Sequence, residues 1–182
     1  DDVGNQEMCT LSYKGLAKDV VAGDTILIDD GLVGLRVDDV NGEEIVCTVE
    51  NSGIVKNHKG VNVPGVKINL PALTDKDISD IEFGISQGID FIAASFVRKV
   101  SDVLAIREVL ERNNATDIQI ISKIENQEGV DNMDEIIDLC DGVMVARGDL
   151  GVNVDPCDMP QLQKEIIAKC QAKGKFVIRS EE

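Results

Sequence analysis

The sequence contains no tryptophan and only 3% aromatic residues, so its hydrophobic core cannot depend on large rings. Valine, isoleucine, leucine and alanine must supply that core, and these residues are typical of buried parallel strands and the helices that cover them. The composition as a whole, with 43% hydrophobic residues and 16 glycines, is that of an ordinary globular protein rather than a disordered or fibrous one. These features favour an α/β fold.

Positive charge is also scarce, because 18 basic residues face 34 acidic ones and the formal net charge is -16. A surface this acidic repels nucleic acids and anionic membranes, so neither is expected as a partner. A small anionic metabolite can still bind where a few cations and a divalent metal reverse the field locally.

No apolar run approaches the ~18 residues of a membrane span, and no charged-then-apolar leader opens the sequence. The cysteines are odd in number and form no CxxC pair, which argues against a zinc site and a complete disulfide framework. They are Cys9, Cys47, Cys140, Cys157 and Cys170. We therefore expect buried or reduced thiols and a cytoplasmic location.

The pattern of the chain changes near Pro71. Before it, short apolar runs at 25–28, 33–37 and 45–49 are separated by Asp-Asp-Gly and Asn-Gly turn signals. Short, partly alternating strands of this kind predict a small antiparallel barrel or sandwich, with residues 56–65 as a connection leaving it. The predicted domains are therefore 1–70 and 71–182.

After Pro71, predicted helices and strands alternate. The first helix, 75–87, has Thr74 as its N-cap, and the helix at 103–112 has Ser101 in that role. The predicted strands are 91–95, 118–122, 143–146 and 176–178, and the other helices lie near 130–139 and 160–173. Repeated (β/α) units of this length build either a doubly wound sheet or an eight-stranded barrel.

Strand 118–122 runs directly into two charged residues, Lys123 and Glu125. Sites in both fold types lie beyond the carboxyl ends of the strands. Because side chains alternate along an extended segment, Lys123 and Glu125 point the same way while Ile124 faces the helices.

Strand 143–146 leads into a second polar segment that contains Gly148 and Asp149. If the two strands are neighbours, Asp149 joins Glu125 to hold a hard cation such as Mg²⁺, which takes one or two carboxylates. Gly148 lets a ligand approach the backbone, and N–H groups that open the next helix can receive a carboxylate. A lysine beside such a metal suits chemistry on an enolate or a transferring phosphoryl group.

Each polar segment also has an ordinary explanation. Lysine and glutamate two residues apart can form a surface ion pair, and Arg-Gly-Asp occurs in turns of many proteins. The occurrence of both segments at consecutive strand ends favours a site.

At this point the residues resemble a known family. Residues 121–129, ISKIENQEG, and residues 141–151, DGVMVARGDLG, are closely similar to the core of pyruvate kinases. The resemblance extends through DDG at 29–31, KGVNVPG at 59–65 and the segment 91–98, and so covers nearly the whole chain. It implies a partial (β/α)8 TIM barrel, preceded by a small antiparallel β-barrel lid domain on the nucleotide side.

The activity implied by the resemblance is phosphoryl transfer from phosphoenolpyruvate to ADP, giving pyruvate and ATP, with Mg²⁺ or Mn²⁺ and K⁺. Lys123 matches the catalytic lysine, which also contacts the substrate. Glu125 and Asp149 match the metal ligands, and Gly148 with Asp149 matches the backbone that receives the substrate carboxylate. Lys59 resembles a nucleotide-binding lysine of the lid.

Four other polar residues have weaker claims on a role. Asp30 lies in an Asp-Gly turn, and it either makes a contact of the lid or serves only to form the turn. His58 is expected to be a surface loop residue, and Arg98 is expected to be solvated or salt-bridged rather than part of a phosphate site. Ser95 is equally ambiguous.

The chain also departs from the family pattern. Four barrel strands are predicted where a closed barrel needs eight, and the K⁺ ligands are expected outside this chain. Residues 179–182, RSEE, stand where the family continues into Thr-Ala-Thr with a substrate-binding threonine. Two unpaired sheet edges and an uncovered interior predict that the isolated chain is weakly stable and inactive. The resemblance also implies that the complete enzyme is a homotetramer, as is common in the family.

Two alternatives stay open. Another Mg²⁺-dependent barrel enzyme acting on phosphoenolpyruvate or pyruvate can use a similar carboxylate pair, although such a barrel needs no nucleotide clamp before Pro71. The chain can also be a non-catalytic assembly or binding piece.

Overall fold

The computed structural model of the chain describes residues 4, 5 and 7–180. The chain divides into two compact units, residues 1–70 and 71–182. The division follows Leu70, where the sequence also predicts the boundary, and the role of the first unit as a lid stays a prediction. Glu181 and Glu182, which belong to the divergent C-terminal segment, lie outside the described residues.

The first unit is built around one antiparallel sheet. Its elements are α1 (Leu16–Asp19), β1 (Thr25–Ile28), β2 (Val33–Asn41), β3 (Glu44–Val49) and β4 (Val61–Asn62). The strands lie in the order β3-β2-β1-β4. One side of the sheet packs on a small core made of Leu16, Val20, Ile26, Val37 and Val63.

The three apolar runs of the first unit do form strands, but two of its elements were not predicted. These are α1 and β4, and β4 lies inside the segment that was expected to be only a connection. It forms because Val61 and Asn62 pair with Ile28 and Leu27 of β1, which local sequence does not encode. The described strands form one antiparallel sheet in which β3 and β4 are edges. The small barrel or sandwich predicted for this unit stays a prediction.

The second unit alternates helices with parallel strands. Its elements are α2 (Asp75–Ser86), β5 (Phe91–Ala94), α3 (Val100–Arg112), β6 (Gln119–Ile124), α4 (Gln127–Asp131), α5 (Met133–Leu139), β7 (Gly142–Ala146), α6 (Arg147–Asn153), α7 (Met159–Ala172) and β8 (Phe176–Ser180). All three strand pairings are parallel, and the order is β5-β6-β7-β8. Each crossover therefore steps to the next strand in one direction. Consecutive barrel units have this order, whereas a doubly wound sheet reverses direction.

The helices pack on one face of this sheet. Alternate residues of β6 and β7, namely Ile120, Ile124, Val143 and Val145, share one apolar cluster with the helices and are fully buried. The helical side of the cluster includes Val103, Ile106, Leu110, Ile136, Ile137 and Ile166. The sequence correctly placed Ile124 towards the helices.

The opposite face of the sheet carries exposed rings from its two edge strands. Phe91 of β5 is 53% exposed and Phe176 of β8 is 39% exposed, yet their ring centroids lie 6.3 Å apart in an edge-to-face contact. A flat sheet would separate these strands by about 14 Å, so the contact indicates that the sheet curves towards this face. Gly142 permits the approach, since a Cβ atom there would lie 2.3 Å from the Phe176 ring.

Several helix boundaries differ from the predictions. Helix α3 begins at Val100 with Lys99 as its N-cap, so the assignment of Ser101 was wrong. The carboxylate of Asp102 instead accepts hydrogen bonds from the N–H groups of Arg98 and Lys99, at 2.9 and 3.3 Å. The helix expected near 130–139 is interrupted at Asn132 and forms α4 and α5.

No helix within residues 4, 5 and 7–180 combines the length and the apolar character needed to cross a membrane. The five cysteines, all of which the structure describes, are free thiols. Cys140 and Cys170 are buried, and burial raises the pKa of Cys170 to about 11. A thiol with so high a pKa is a poor nucleophile, so Cys170 acts as a small apolar residue of the core.

We expect Leu110→Ala to lower the free energy of unfolding of the second unit by about 2–5 kcal/mol, because it empties a fully buried site. The control is Leu104→Ala on the same helix, where the side chain is 47% exposed and the loss should stay below about 1 kcal/mol. Urea unfolding followed by circular dichroism measures both. Equal losses would show that α3 does not pack on the sheet as described.

A second prediction concerns the start of α2, where Thr74 caps the helix as the sequence predicts. The Thr74 hydroxyl and backbone N–H donate to the Asp77 carboxylate and hold the pKa of Asp77 below its usual value. The stabilisation is therefore present above the unfolded pKa of about 3.9 and is lost as pH falls through the lower folded pKa.

Asp77→Ala should accordingly cost about 1 kcal/mol at neutral pH and clearly less at pH values below the folded pKa. Asp75→Ala is the control, because it removes a charge from the same helical turn and leaves the Thr74–Asp77 contacts intact. Urea midpoints across the acid range give the comparison. A cost for Asp77→Ala that is independent of pH would contradict the assigned role.

Candidate active site

The carboxyl ends of β5, β6 and β7 lie side by side and bring the polar segments together. Ala94 pairs with Ser122, and Ile124 pairs with Val145, so the residues that follow these positions share one edge of the sheet. Strand β6 runs two residues further than predicted and ends at Ile124. Lys123 is therefore held within the strand rather than in a loop.

Lys123 points away from the helix-covered face and makes two contacts at this edge. Its Nζ atom lies 2.6 Å from Oε1 of Glu125 and donates to Oγ of Ser95 at 3.1 Å. The side chain is 22% exposed, so the ammonium remains accessible while its direction is fixed. The predicted pairing of Lys123 and Glu125 on one face is present.

Glu125 is the most deeply buried charged residue of the site, with a side chain only 1% exposed. Its Oε2 atom accepts a hydrogen bond from the backbone N–H of Phe96. Its Oε1 atom has no hydrogen-bond partner among the described residues, and its contact with Lys123 is an ion pair without hydrogen-bond alignment. This oxygen is therefore compensated by the charge of Lys123 but not by an aligned hydrogen-bond donor.

The N–H group of Phe96 reaches Glu125 because the backbone of Phe96 is left-handed, with φ of 52°. A residue with a bulky side chain adopts this conformation at a cost of about 1–2 kcal/mol. Strain of this kind is concentrated at functional sites, where surrounding contacts hold it. The loop after β5 is held by such contacts, among them the bond from Asn132 Nδ2 to the carbonyl of Arg98 at 2.9 Å.

Asp149 and Gly148 lie in the first turn of α6, which begins directly after β7. Gly148 is exposed and Asp149 is partly buried. The side-chain amide of Asn153 donates to the backbone carbonyls of Glu125 and Asp149, at 3.0 and 2.9 Å. The two carboxylate-bearing residues are therefore tied to each other through the last residue of α6.

This donor set fits a magnesium or manganese ion. No cluster of three or more histidine, cysteine, aspartate or glutamate side chains suited to a metal occurs in the described parts of the chain. Mg²⁺ does not need one, because it takes one or two carboxylates and fills its other positions with water or substrate oxygens. The observation in favour of this fit is that Oε1 of the buried Glu125 is ion-paired with Lys123 but has no hydrogen-bond donor among the described residues.

In the first unit, Lys59 lies beside the turn that joins β1 to β2. Its Nζ atom is 2.7 Å from Oδ1 of Asp29, and this hydrogen bond and the charge of Asp29 raise the pKa of Lys59. The N–H of Asp29 also donates to the carbonyl of Gly60 at 3.0 Å, which joins the two loops. Asp29 and Asp30 are left-handed, with φ of 54° and 56°.

Two residues with weak claims lie where they were expected. His58 is exposed in its loop. Arg98 is salt-bridged, with Nε 3.4 Å from Oδ2 of Asp102 and a side chain 12% exposed.

A model of the pyruvate kinase barrel domain matches residues 1–182. The chain belongs to the pyruvate kinase family. It is 62% identical over 178 residues to "Pyruvate kinase" of Bacillus licheniformis, 59% identical over 176 residues to that of Clostridium acetobutylicum, and 58% identical over 178 residues to that of Geobacillus stearothermophilus. These alignments cover 97% of the chain but only 30% to 37% of the relatives. The chain thus spans about a third of their length.

The roles of Lys123, Glu125 and Asp149 stay predictions, and sequence reasoning missed two of their neighbours, Phe96 and Asn153. The contribution of Phe96 is a backbone N–H whose direction depends on a left-handed conformation, and no residue type signals that. Asn153 lies four residues after Asp149, a spacing compatible with a side-chain contact in a helix. Its bond to Glu125 depends on the pairing of β6 with β7 and has no local signal.

The Lys123–Glu125 contact yields a prediction about stability. Lys123→Met leaves a buried carboxylate without its cation and should cost about 3 kcal/mol. In Lys123→Met/Glu125→Gln much of that loss should be recovered, because the uncompensated charge is gone. Denaturant unfolding of the two single variants and the double variant gives the coupling energy.

The matched control is the surface pair Lys169–Asp134, whose atoms lie 2.7 Å apart, close to the 2.6 Å of Lys123–Glu125, but whose aspartate is 63% exposed. Its coupling energy should be about 0.5 kcal/mol. If Lys123 and Glu125 couple no more strongly than this surface pair, the carboxylate is not buried as described.

Proposed function

We propose that this chain carries the metal-binding and phosphoryl-transfer part of a pyruvate kinase site. The reaction is transfer of the phosphoryl group of phosphoenolpyruvate to ADP, giving pyruvate and ATP. The observation that carries the proposal is the buried Glu125 carboxylate, which faces the Lys123 ammonium and keeps one oxygen without a hydrogen-bond partner. Family membership supports it.

Each residue has a role that follows from its chemistry. Lys123 is the catalytic cation, because an ammonium at this position neutralises negative charge on the transferring phosphoryl group and on the enolate. Glu125 and Asp149 would hold Mg²⁺ or Mn²⁺, which supplies Lewis-acid polarisation of substrate oxygens when bound. The backbone at Gly148 and Asp149 receives the substrate carboxylate.

Ser95 and Phe96 act on these groups rather than on the substrate. The hydroxyl of Ser95 accepts from Lys123 and limits the rotation of its ammonium. The N–H of Phe96 holds one oxygen of Glu125, so the other is directed to the ammonium side. Such preorganisation lowers the reorganisation that the site must undergo when charge develops.

The first unit supplies the nucleotide side in this proposal. Residues 1–70 would form part of a lid, and Lys59 would bind phosphate oxygens of ADP. The ion pair with Asp29 supports an ammonium that stays charged, since it raises the pKa of Lys59. A nucleotide phosphate would compete with Asp29 for this ammonium.

The rest of the proposal comes from the family. The K⁺ ligands belong to segments outside this chain, and the complete enzyme would be a cytoplasmic homotetramer. The isolated chain is expected to be inactive, because four parallel strands leave part of the active site and one sheet face without their neighbours.

The proposal is tested by placing residues 1–178, without the divergent residues 179–182, in the corresponding segment of the Bacillus licheniformis relative, which is 62% identical over 178 residues. The hybrid should form pyruvate from phosphoenolpyruvate and ADP, whereas the isolated chain should not. In the hybrid, Lys123→Met should lower kcat by at least about a hundredfold, the lower end of what removing a transition-state charge contact costs. Lys175→Met, which removes a lysine from the opposite end of the sheet, is the control.

Pyruvate formation is followed by a coupled absorbance assay at saturating Mg²⁺ and K⁺. Full turnover in the Lys123→Met hybrid would refute the role of that lysine. A folded hybrid without activity would instead favour a non-catalytic binding piece.

A further inference from the structure

The side-chain amide of Asn153 joins two segments that the sequence keeps apart. Its Nδ2 atom donates to the carbonyl of Glu125, 28 residues earlier, at 3.0 Å, and to the carbonyl of Asp149 at 2.9 Å. The carbonyl of Glu125 directly follows the end of β6, and the carbonyl of Asp149 lies in the first turn of α6. One amide therefore fixes the backbone of both proposed metal ligands.

In the described part of the chain, the other hydrogen bonds at this edge join β6 to the loop after β5, or α6 to β8, but not α6 to β6. Oε2 of Glu125 is held by the N–H of Phe96, which sets the direction of the carboxylate but not its distance from α6. Strand pairing between β6 and β7 ends at Ile124 and Val145, one residue before Glu125. Beyond it, Asn153 supplies the described hydrogen bond that runs from α6 to the Glu125 backbone.

Helix α6 itself is short, with seven residues from Arg147 to Asn153. A helix of this length is marginal without tertiary contacts. Leu150, which is fully buried, anchors its apolar side to the core. Arg147 Nε donates to the carbonyl of Ser180 in β8 at 2.8 Å and anchors the N-terminal end of α6, whereas the Asn153 amide anchors its C-terminal end to Glu125. The Asn153 bond is therefore the described hydrogen bond that acts on the separation of α6 from Glu125.

We propose that Asn153 is a positioning residue that sets the separation of Glu125 and Asp149 so that both carboxylates can reach one divalent cation. This inference rests on the proposed metal site. Mg²⁺ demands near-octahedral geometry, which makes its affinity sensitive to small changes in ligand spacing. Groups that orient metal ligands are worth about 10- to 100-fold in metal affinity.

The test measures Mn²⁺ binding to the 182-residue chain by electron paramagnetic resonance. Asn153→Ala removes both hydrogen bonds and should raise the Kd for Mn²⁺ by about tenfold or more. Asn113→Ala is the matched control, because its amide also donates to a backbone carbonyl, that of Val109 at 2.8 Å, at the end of α3. Its Kd should equal that of the unmodified chain.

Asn153→Ser is the second variant, since its shorter hydroxyl cannot reach both carbonyls and disturbs the local packing less. Its Kd should also rise. Circular dichroism melts of every variant report the folded fraction at the temperature of the binding experiment. A folded Asn153→Ala or Asn153→Ser variant that binds Mn²⁺ as tightly as the unmodified chain overturns the inference.

Glu125→Gln separates failure of this inference from failure of the proposed function. If the unmodified chain binds no Mn²⁺, or Glu125→Gln binds as tightly as the unmodified chain, the proposed metal site is wrong and the role of Asn153 is refuted with it. If Glu125→Gln weakens binding and the Asn153 variants do not, only the positioning role is refuted.

Discussion

A carboxylate buried beside a single lysine is the interaction on which the candidate site depends. Removing Glu125 from water costs several kcal/mol unless charge and hydrogen bonds compensate for it. Here the compensation is incomplete, because one oxygen has the Phe96 amide and the other has only the ion pair with Lys123. The Lys123 ammonium therefore carries most of the compensation for the buried charge of Glu125.

The parallel sheet makes this arrangement possible. Three adjacent strands end at one edge, and each end delivers a different kind of group: a hydroxyl and an amide after β5, the ion pair at β6, and a carboxylate with a short helix after β7. The helices supply the apolar cluster that holds the strands in register. The geometry of the site therefore depends on the same packing that stabilises the sheet, since a shift of strand register would separate Lys123 from Ser95.

The face of the parallel sheet opposite the helices is open in the described part of the chain. In the described part of the chain, β5 and β8 each have one strand partner, and the face opposite the helices carries two exposed phenylalanine rings in contact. Exposed apolar surface and unpaired edges of this kind favour association with further chain.

The α/β alternation, the Thr74 cap, and the placement of Lys123 and Glu125 on one face could all be predicted from the sequence, because they depend on local periodicity and capping. The sequence did not determine the direction of winding, the short strand β4, or the roles of Phe96 and Asn153. Those depend on which strands pair and in what register. The Phe96 amide and the Asn153 side chain both hydrogen-bond Glu125, which lies about 28 positions away in the sequence. Only the folded sheet brings such residues together.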